Sequence, residues 1–424
     1  MKKMIIVGGG AAGMMCGVKA ADRYDVTIIE KNEKLGKKLF ITGKGRCNLT
    51  NDTDEETFLQ NVVNNYKFMY SSIYSYNQRA VMDDFESWGL KLKTERGNRV
   101  FPASDHSSDV LKTLEDQLRR KKVKIMLNTS VTGLVIEGDE AKRVTGVYIG
   151  RKKLDADVVV LATGGLSYPQ TGSTGDGFEF LKDAGEDDVV TEVIPALCPI
   201  VIKQSFCHDM MGLSLRNVKA KVEFIPNEIT KKNKVKKLYE EQGEMLFTHF
   251  GVSGPLMLSA SSYIAAFERK NAKSVEGRVI ITVDLKPALT FEELDKRVQR
   301  DFEMFSNREF SNSLGQLLPR LMIPVVIHES GIKPDKRVNL ITHEERERLV
   351  KVLKGFTMEV AGFKGFNEAI ISSGGIDVKH IDAGTMEIKG IEGLRAAGEI
   401  IDVDALTGGF NLQIAWSTAN LAAQ

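Results

Sequence analysis

Apolar and polar positions repeat along this chain with two different periods, and the places where the period changes outline its organisation. Met4, Ile5, Ile6 and Val7 form a continuous apolar run, as expected of a strand buried on both faces of a parallel sheet. A glycine-rich stretch, 8–13, interrupts it, and a helical pattern follows from Met14 to Ala21. Residues 25–29, 123–127 and 156–161 read as further buried strands, with a helical stretch over 54–88 and a hairpin region between them. Over 218–225, 235–247 and 278–285 the period drops to two, which predicts antiparallel strands with one buried face. Helical spacing returns at 291–305, 312–326 and 344–354. Residues 368–376 then lead back to the first pattern, and a last helix is expected from about 410 to 423. The sequence therefore predicts an α/β chain of three segments. Residues 1–192 and 358–424 form one domain, and 193–357 form an insertion made of a small β-barrel or sandwich plus a helical cluster.

The first interruption carries chemistry. Gly8, Gly10 and Gly13 fit G-x-G-x-x-G, with Ala11 and Ala12 between them, and Glu30 closes the second strand 17 residues after Gly13. Gly8 allows the tight exit from the strand, Gly10 lets a pyrophosphate approach the backbone, and Gly13 lets the helix pack closely on the strand. The helix N-terminus offers unpaired N–H groups and the positive end of a dipole to phosphate. Glu30, with Lys31 beside it, stands where a carboxylate accepts hydrogen bonds from ribose hydroxyls. An ordinary glycine-rich turn would leave Glu30 unexplained. Strand, helix, strand and acid in this order predict a Rossmann-like FAD/NAD(P)-binding domain.

The other end of the chain argues for FAD over NAD. Residues 394–402 read as a strand, a glycine turn and acids, with Gly398, Glu399 and Asp402 in sequence, and Thr407-Gly408-Gly409-Phe410-Asn411 opens the last helix. In flavoproteins with two dinucleotide folds such a strand ends near the ribityl chain, and the helix N-terminus favours the negative charge of reduced flavin. Ala162-Thr163-Gly164-Gly165 ends the strand over 156–161 in a turn like the one that passes the adenosine side of FAD.

Four blocks resemble one known family. They are Lys37-Lys38-Leu39-Phe40-Ile41-Thr42-Gly43-Lys44-Gly45-Arg46-Cys47-Asn48-Leu49-Thr50-Asn51, Ala162-Thr163-Gly164-Gly165-Leu166-Ser167-Tyr168-Pro169, Thr174-Gly175-Asp176-Gly177, and Gly398-Glu399-Ile400-Ile401-Asp402 with Thr407-Gly408-Gly409-Phe410-Asn411-Leu412-Gln413. Together they are similar to the bacterial HI0933-like (BaiN/YhiN-type) NAD(P)/FAD-dependent oxidoreductases over essentially the whole chain. The resemblance implies a split FAD domain with an inserted domain. It places Lys38, Gly43, Gly45, Arg46, Cys47 and Asn48 along the cofactor, Arg46 and Asn48 near pyrophosphate or flavin, and the backbone of Val131 at adenine. Cys47 reads equally as a packed residue. One departure is visible: Val403-Asp404-Ala405-Leu406 stands where the family pattern has Asp-Gly after Asp402.

Composition then narrows the partners. The chain has 424 residues, 42% hydrophobic and 27% charged, with 58 Lys and Arg against 57 Asp and Glu, a net charge of +1. That balance argues against broad electrostatic capture of nucleic acid or of an anionic membrane. The lysine-rich segment 231–237 is a local exception, read as a solvated hairpin tip, with a phosphate or RNA contact as the alternative. Cys16, Cys47, Cys198 and Cys207 form no C-x-x-C pair and no zinc pattern, so free thiols in a reducing compartment are expected. No signal peptide and no ~20-residue apolar span are evident, so a cytoplasmic protein is expected.

These readings predict an oxidoreductase that passes hydride at flavin N5 to or from a small molecule, with NAD(P)H as transient electron donor. His249, in Leu246-Phe247-Thr248-His249-Phe250-Gly251, is the leading acid/base candidate, against a structural loop histidine; His106 and His208 are weaker. A disulfide-type reductase is rejected, since neither a second G-x-G-x-x-G nor a redox cysteine pair is present. A flavin-binding sensor or RNA-associated flavoprotein without turnover is the alternative from a different class.

Overall fold

The computed structural model describes residues 1–138, 141–230, 233–271 and 276–424. Contacts divide it into two compact units. One combines Met1–Ala196 with Gly365–Gln424, and the other is Leu197–Lys364.

The first unit is organised by a five-stranded parallel sheet. Its strands lie in the order Leu394–Ala396, Val158–Leu161, Lys2–Val7, Tyr24–Ile29 and Lys124–Met126. Central strands of a parallel sheet are covered on both faces. This explains why Val158–Leu161 is apolar at every position and fully buried. Register fixes the chemistry at the carboxyl ends: Val7 sits beside Ile29 and Leu161, and Leu161 beside Ala396. Three glycine-containing turns therefore emerge from adjacent strands at one edge. The last helix, Phe410–Ala422, is buried along most of its length. Trp416 is fully buried and meets Phe85 edge-on at a centroid distance of 5.8 Å.

The helical stretch expected over 54–88 is broken into Glu55–Gln60, Met69–Ser75 and Gln78–Ser87. A short strand, Val62–Asn64, separates the first two and pairs with Asp404–Ala405. The partner lies some 340 residues away, so local spacing carried no trace of it.

The second unit is a closed six-stranded barrel with helices. Around the barrel run Ile200–Ile202, Gly251–Ser253, Lys236–Thr248, Ser214–Pro226, Gly277–Asp284 and Phe356–Phe363. The period-two pattern is realised literally. Ala220, Val222 and Phe224 are buried, while Lys219 and Lys221 between them reach outward to Glu240 and Glu223. Among the described residues of this unit, closure leaves no unpaired edge strand. Helices Phe291–Met304 and His343–Lys354 begin at capping boxes, Thr290 with Glu293 and Thr342 with Glu345. The helix expected over 312–326 forms only from Ile323 to Ser330, preceded by a 3-10 turn at Arg320–Met322. Pro319 and Pro324 explain the shift, because proline is tolerated in the first turn of a helix and not in its interior. Lys231 and Lys232 of the basic segment lie outside the described residues.

Candidate functional site

The glycine turn after the first strand is held from both sides. Gly8 adopts φ +105° and donates its N–H to Ile29 O at 2.9 Å. A Cβ at Gly8 would stand 2.5 Å from Ala162 O, and one at Gly13 only 1.9 Å from Gly8 O. These two glycines are therefore required by close packing. Gly10 is different: its φ is −79°, and a Cβ there would meet nothing within 4 Å. It caps helix Ala11–Ala20, which has no side-chain cap and no acid in its first turn. An open, uncapped helix N-terminus faced by a residue with no side chain is the arrangement that admits a phosphate.

Glu30 frames the same turn. Its carboxylate is nearly buried, accepts the Gly9 N–H at 2.8 Å, and accepts both the backbone and side-chain N–H of Asn32. The neighbouring Lys31 turns away, to Asp176 at 2.7 Å. Thr129 N–H bonds to Glu30 O, bringing the loop that contains buried Val131 beside the acid.

The Ala162-Thr163-Gly164 turn is tied to the first by Ala162 N–H to Val7 O. Thr163 Oγ1 is buried and finds no partner among the described residues. A Cβ at Gly177 would come within 2.4 Å of that oxygen, so the glycine of the Thr174–Gly177 block makes room for it.

At the third turn, a Cβ on Gly398 (φ +80°) would stand 2.7 Å from the Ala12 Cβ, so the two ends of the chain converge on one place. Glu399 meets Lys38 at 2.5 Å, and its other oxygen accepts from Ser167 Oγ and Ser372 N–H. Asp402 is buried and accepts from Thr191 Oγ1. Gly408 and Gly409 open the last helix with φ of +125° and +100°. A Cβ on Gly409 would stand 2.3 Å from Thr50 O, and Asn51 Nδ2 donates to Gly408 O at 2.9 Å. Thus the end of the lysine- and glycine-rich block, rather than its middle, touches the C-terminal turn. Asn411 ties down the 403–406 loop: its amide donates to Ala405 O and accepts from Ala405 N–H. Phe410 packs on Phe58.

Within that block the helix Lys37–Gly45 breaks at Thr42, and Gly43, Lys44 and Cys47 all take positive φ. A Cβ on Gly45 would meet nothing within 4 Å. Arg46 stacks on Phe101 and bonds to Asp105 and Glu95, so its charge is already matched by protein carboxylates. Lys93 and Arg46 hold the Asp105 carboxyl below its ordinary range. The Cys47 thiol is fully buried, and burial pushes it up to about 12, which makes it a packed residue rather than a thiolate. Asn48 Oδ1 is buried with no partner among the described residues. His249 lies in the other unit, exposed in the turn between strands Lys236–Thr248 and Gly251–Ser253, its ring edge-on to Phe250 at 4.9 Å.

Sequence reasoning missed a buried polar cluster beside the third turn. Asp404 is buried, and its Oδ1 accepts from Asn64 Nδ2 at 2.6 Å and Ser373 Oγ at 3.0 Å. It also missed Gln413, which is fully buried and links Thr50, Tyr76 and Ser417. The replacement of the expected Asp-Gly by Val403-Asp404 was the one visible signal.

A parallel sheet whose edge carries three strand–glycine–helix or strand–glycine turns defines a Rossmann-type dinucleotide fold. The chain belongs to the HI0933-like family: the HI0933-like protein Rossmann domain model matches residues 2–424. It is 29% identical over 435 aligned residues, covering 100% of this chain and 98% of the relative, to a 3-dehydro-bile acid Δ(4,6)-reductase of Clostridium scindens. It is also 27% identical, covering 99% of this chain and 96% of the relative, to a ribosomal RNA dihydrouridine synthase of Escherichia coli K12. The fold is similar to that of a 3-ketosteroid Δ1-dehydrogenase from Sterolibacterium denitrificans, with a TM-score of 0.51 at 14% identity, covering 100% of this chain and 98% of that one.

Proposed function

We propose that this protein is an FAD-dependent reductase of a carbon–carbon double bond conjugated to a carbonyl. The observation that carries the cofactor assignment is the open, uncapped turn at Gly10, framed by the Glu30 carboxylate and by the buried, unpartnered Thr163 Oγ1. Gly10 and the amides of Ala11 to Gly13 would receive the pyrophosphate, Glu30 the ribose of the adenosine half, and Thr163 Oγ1 and Asn48 Oδ1 polar atoms of the cofactor. Lys38, Glu399, Asp402 and the N-terminus of the Phe410–Ala422 helix would bracket the flavin half.

Two relatives support this reaction class. Removing a Δ4,6 double bond from a 3-dehydro bile acid and converting uridine to dihydrouridine share one chemistry: a C=C conjugated to a carbonyl is saturated. Bound at this turn, FAD would supply hydride chemistry, with NAD(P)H as the two-electron source and the β carbon of the conjugated bond as the acceptor. A protein acid delivers the proton to the α carbon, and the balance is one NAD(P)H and one proton consumed per double bond removed. The protein's other task is to hold the flavin in a site closed to water.

The purified protein should show flavin absorbance bands that bleach anaerobically on addition of NADPH or NADH and return on addition of a conjugated enone. A preparation that stays colourless after incubation with excess FAD would overturn the assignment.

A further inference from the structure

Strand Thr50–Asn51 of the first unit runs along the last helix and delivers one side chain to its open end. Trp416 Nε1 donates to Leu49 O at 2.9 Å, Thr50 Oγ1 donates to Gln413 Oε1 at 2.6 Å, and Asn51 Nδ2 donates to Gly408 O at 2.9 Å. Pairing with strand Arg99–Pro102 holds the segment from its other side. Asn51 is only 3% exposed. Both hydrogens of its amide nitrogen are spent, one on Gly408 O and one on Gly97 O at 3.1 Å. Turning the amide over would set its oxygen against those two carbonyls, so its neighbours fix the orientation. Oδ1 is left buried beside the helix N-terminus, with no donor among the described residues. A buried acceptor without a donor is costly to keep.

The helix also stands where the far half of a dinucleotide would end. Glu30 follows strand Tyr24–Ile29, on one side of Lys2–Val7 and its phosphate-admitting turn; Val158–Leu161 and Leu394–Ala396 lie on the other side. A dinucleotide with its adenosine at Glu30 therefore runs on towards the turn at Gly398. That residue donates its N–H to Thr418 Oγ1, and a Cβ on it would stand 2.7 Å from the Ala12 Cβ and 3.8 Å from the Ala415 Cβ. Arg395, earlier on the same strand, donates to Ala422 O at the helix's other end. The helix thus runs opposite to the strands, and its first residue lies beyond their carboxyl ends. From Ala415 back to Phe410 it covers about 7.5 Å at 1.5 Å per residue.

We infer that Asn51 Oδ1 accepts the imide N–H of the flavin ring, at N3, while the N-terminus of helix Phe410–Ala422 donates to the carbonyl beside it. The inference rests on the FAD reading above and adds the residue that selects the ring. The helix begins at Gly409 with no side-chain cap and no acid in its first turn, so its leading N–H groups are donors without an intrahelical acceptor. Donors alone would serve a phosphate or a lone carbonyl. A fixed acceptor held among donors matches a ring edge on which C=O and N–H alternate, and the pyrimidine edge of isoalloxazine is such an edge.

The test compares FAD with FAD methylated at N3, each titrated into the full chain freed of flavin. Wild-type protein should bind the methylated cofactor at least about tenfold more weakly, because the methyl group leaves Oδ1 without its donor. Asn51→Ala removes both the acceptor and the atoms the methyl group would strike, and should bind the two cofactors alike. Equal affinity of wild type for both, or a preference kept undiminished in Asn51→Ala, would overturn the assignment. A second measurement uses wild type alone and covers the case in which Asn51→Ala does not fold. With 15N-labelled FAD bound, the N3 proton should give an NMR signal protected from exchange with water; a signal lost to exchange would overturn the inference. Wild type that binds neither cofactor would overturn it together with the FAD reading, a result distinct from binding both alike.

Discussion

The two glycine turns that open buried helices, at Gly8–Gly13 and at Gly408–Gly409, look alike in sequence and differ in what their glycines are for. At the first, the work is divided: Gly8 and Gly13 serve packing, and Gly10 faces open space. At the second, a side chain on Gly409 would collide with Thr50 O, and one on Gly408 would crowd the Phe410 ring. Neither glycine of the second turn is spare. A glycine kept where nothing would touch its Cβ points to a visitor; a glycine kept where everything would touch it points to the fold.

Substitutions can break or sharpen that contrast. Gly13→Ala should have the largest effect, since its Cβ would press on Gly8 backbone that cannot retreat. We expect about 3 kcal/mol or more of lost stability, read as the denaturation midpoint. Gly409→Ala comes next, with a left-handed φ and a backbone clash together costing about 2–3 kcal/mol. Lys38→Met removes one partner of the part-buried Glu399 and should cost about 1–2 kcal/mol. It should also raise the FAD dissociation constant. Gly10→Ala should leave the midpoint within about 0.5 kcal/mol of wild type while weakening FAD binding at least tenfold. A Gly10→Ala protein that unfolds as readily as Gly13→Ala would erase the distinction between the two kinds of glycine.

Alkaline pH offers a gentler probe of the first unit. Burial pushes the thiols of Cys16 and Cys47 from an ordinary 9.0 up to about 12. A raised acid holds its proton more tightly in the folded state, so the associated stability is fully present below about pH 9 and is lost as the pH climbs towards 12. Native protein should therefore resist thiol reagents at pH 8 and react on unfolding; prompt labelling of Cys47 in the native state would contradict its burial.

The fold class was legible because its signals are local. A run such as Val158–Leu161, closed by a glycine turn, reads as a doubly covered strand, and the alternation in Ser214–Pro226 reads as a strand with one face on a core. The convergence of the chain's ends was legible through the glycine signatures at both of them. Partner choice was not. Arg46 reads as a ligand-facing cation until Glu95 and Asp105, 49 and 59 residues on, claim it. Lys38 and Glu399 are 361 residues apart, and Asn64 and Asp404 are 340. Nothing in the spacing of either segment announces a bond that exists only once both have been placed on the same sheet.

The order of the strands sets a timetable for synthesis. The edge strand Leu394–Ala396 pairs with Val158–Leu161, and helix Phe410–Ala422 packs on helix Ala11–Ala20, so both are made long after the elements they join. The barrel, contained within Leu197–Lys364, has all its strands before either of these pieces is made. The strands Lys2–Val7 and Val158–Leu161 must therefore wait until the whole of Leu197–Lys364 has been made before their sheet can be completed. Release of a chain stopped short of residue 394 would yield a finished barrel attached to an unfinished sheet.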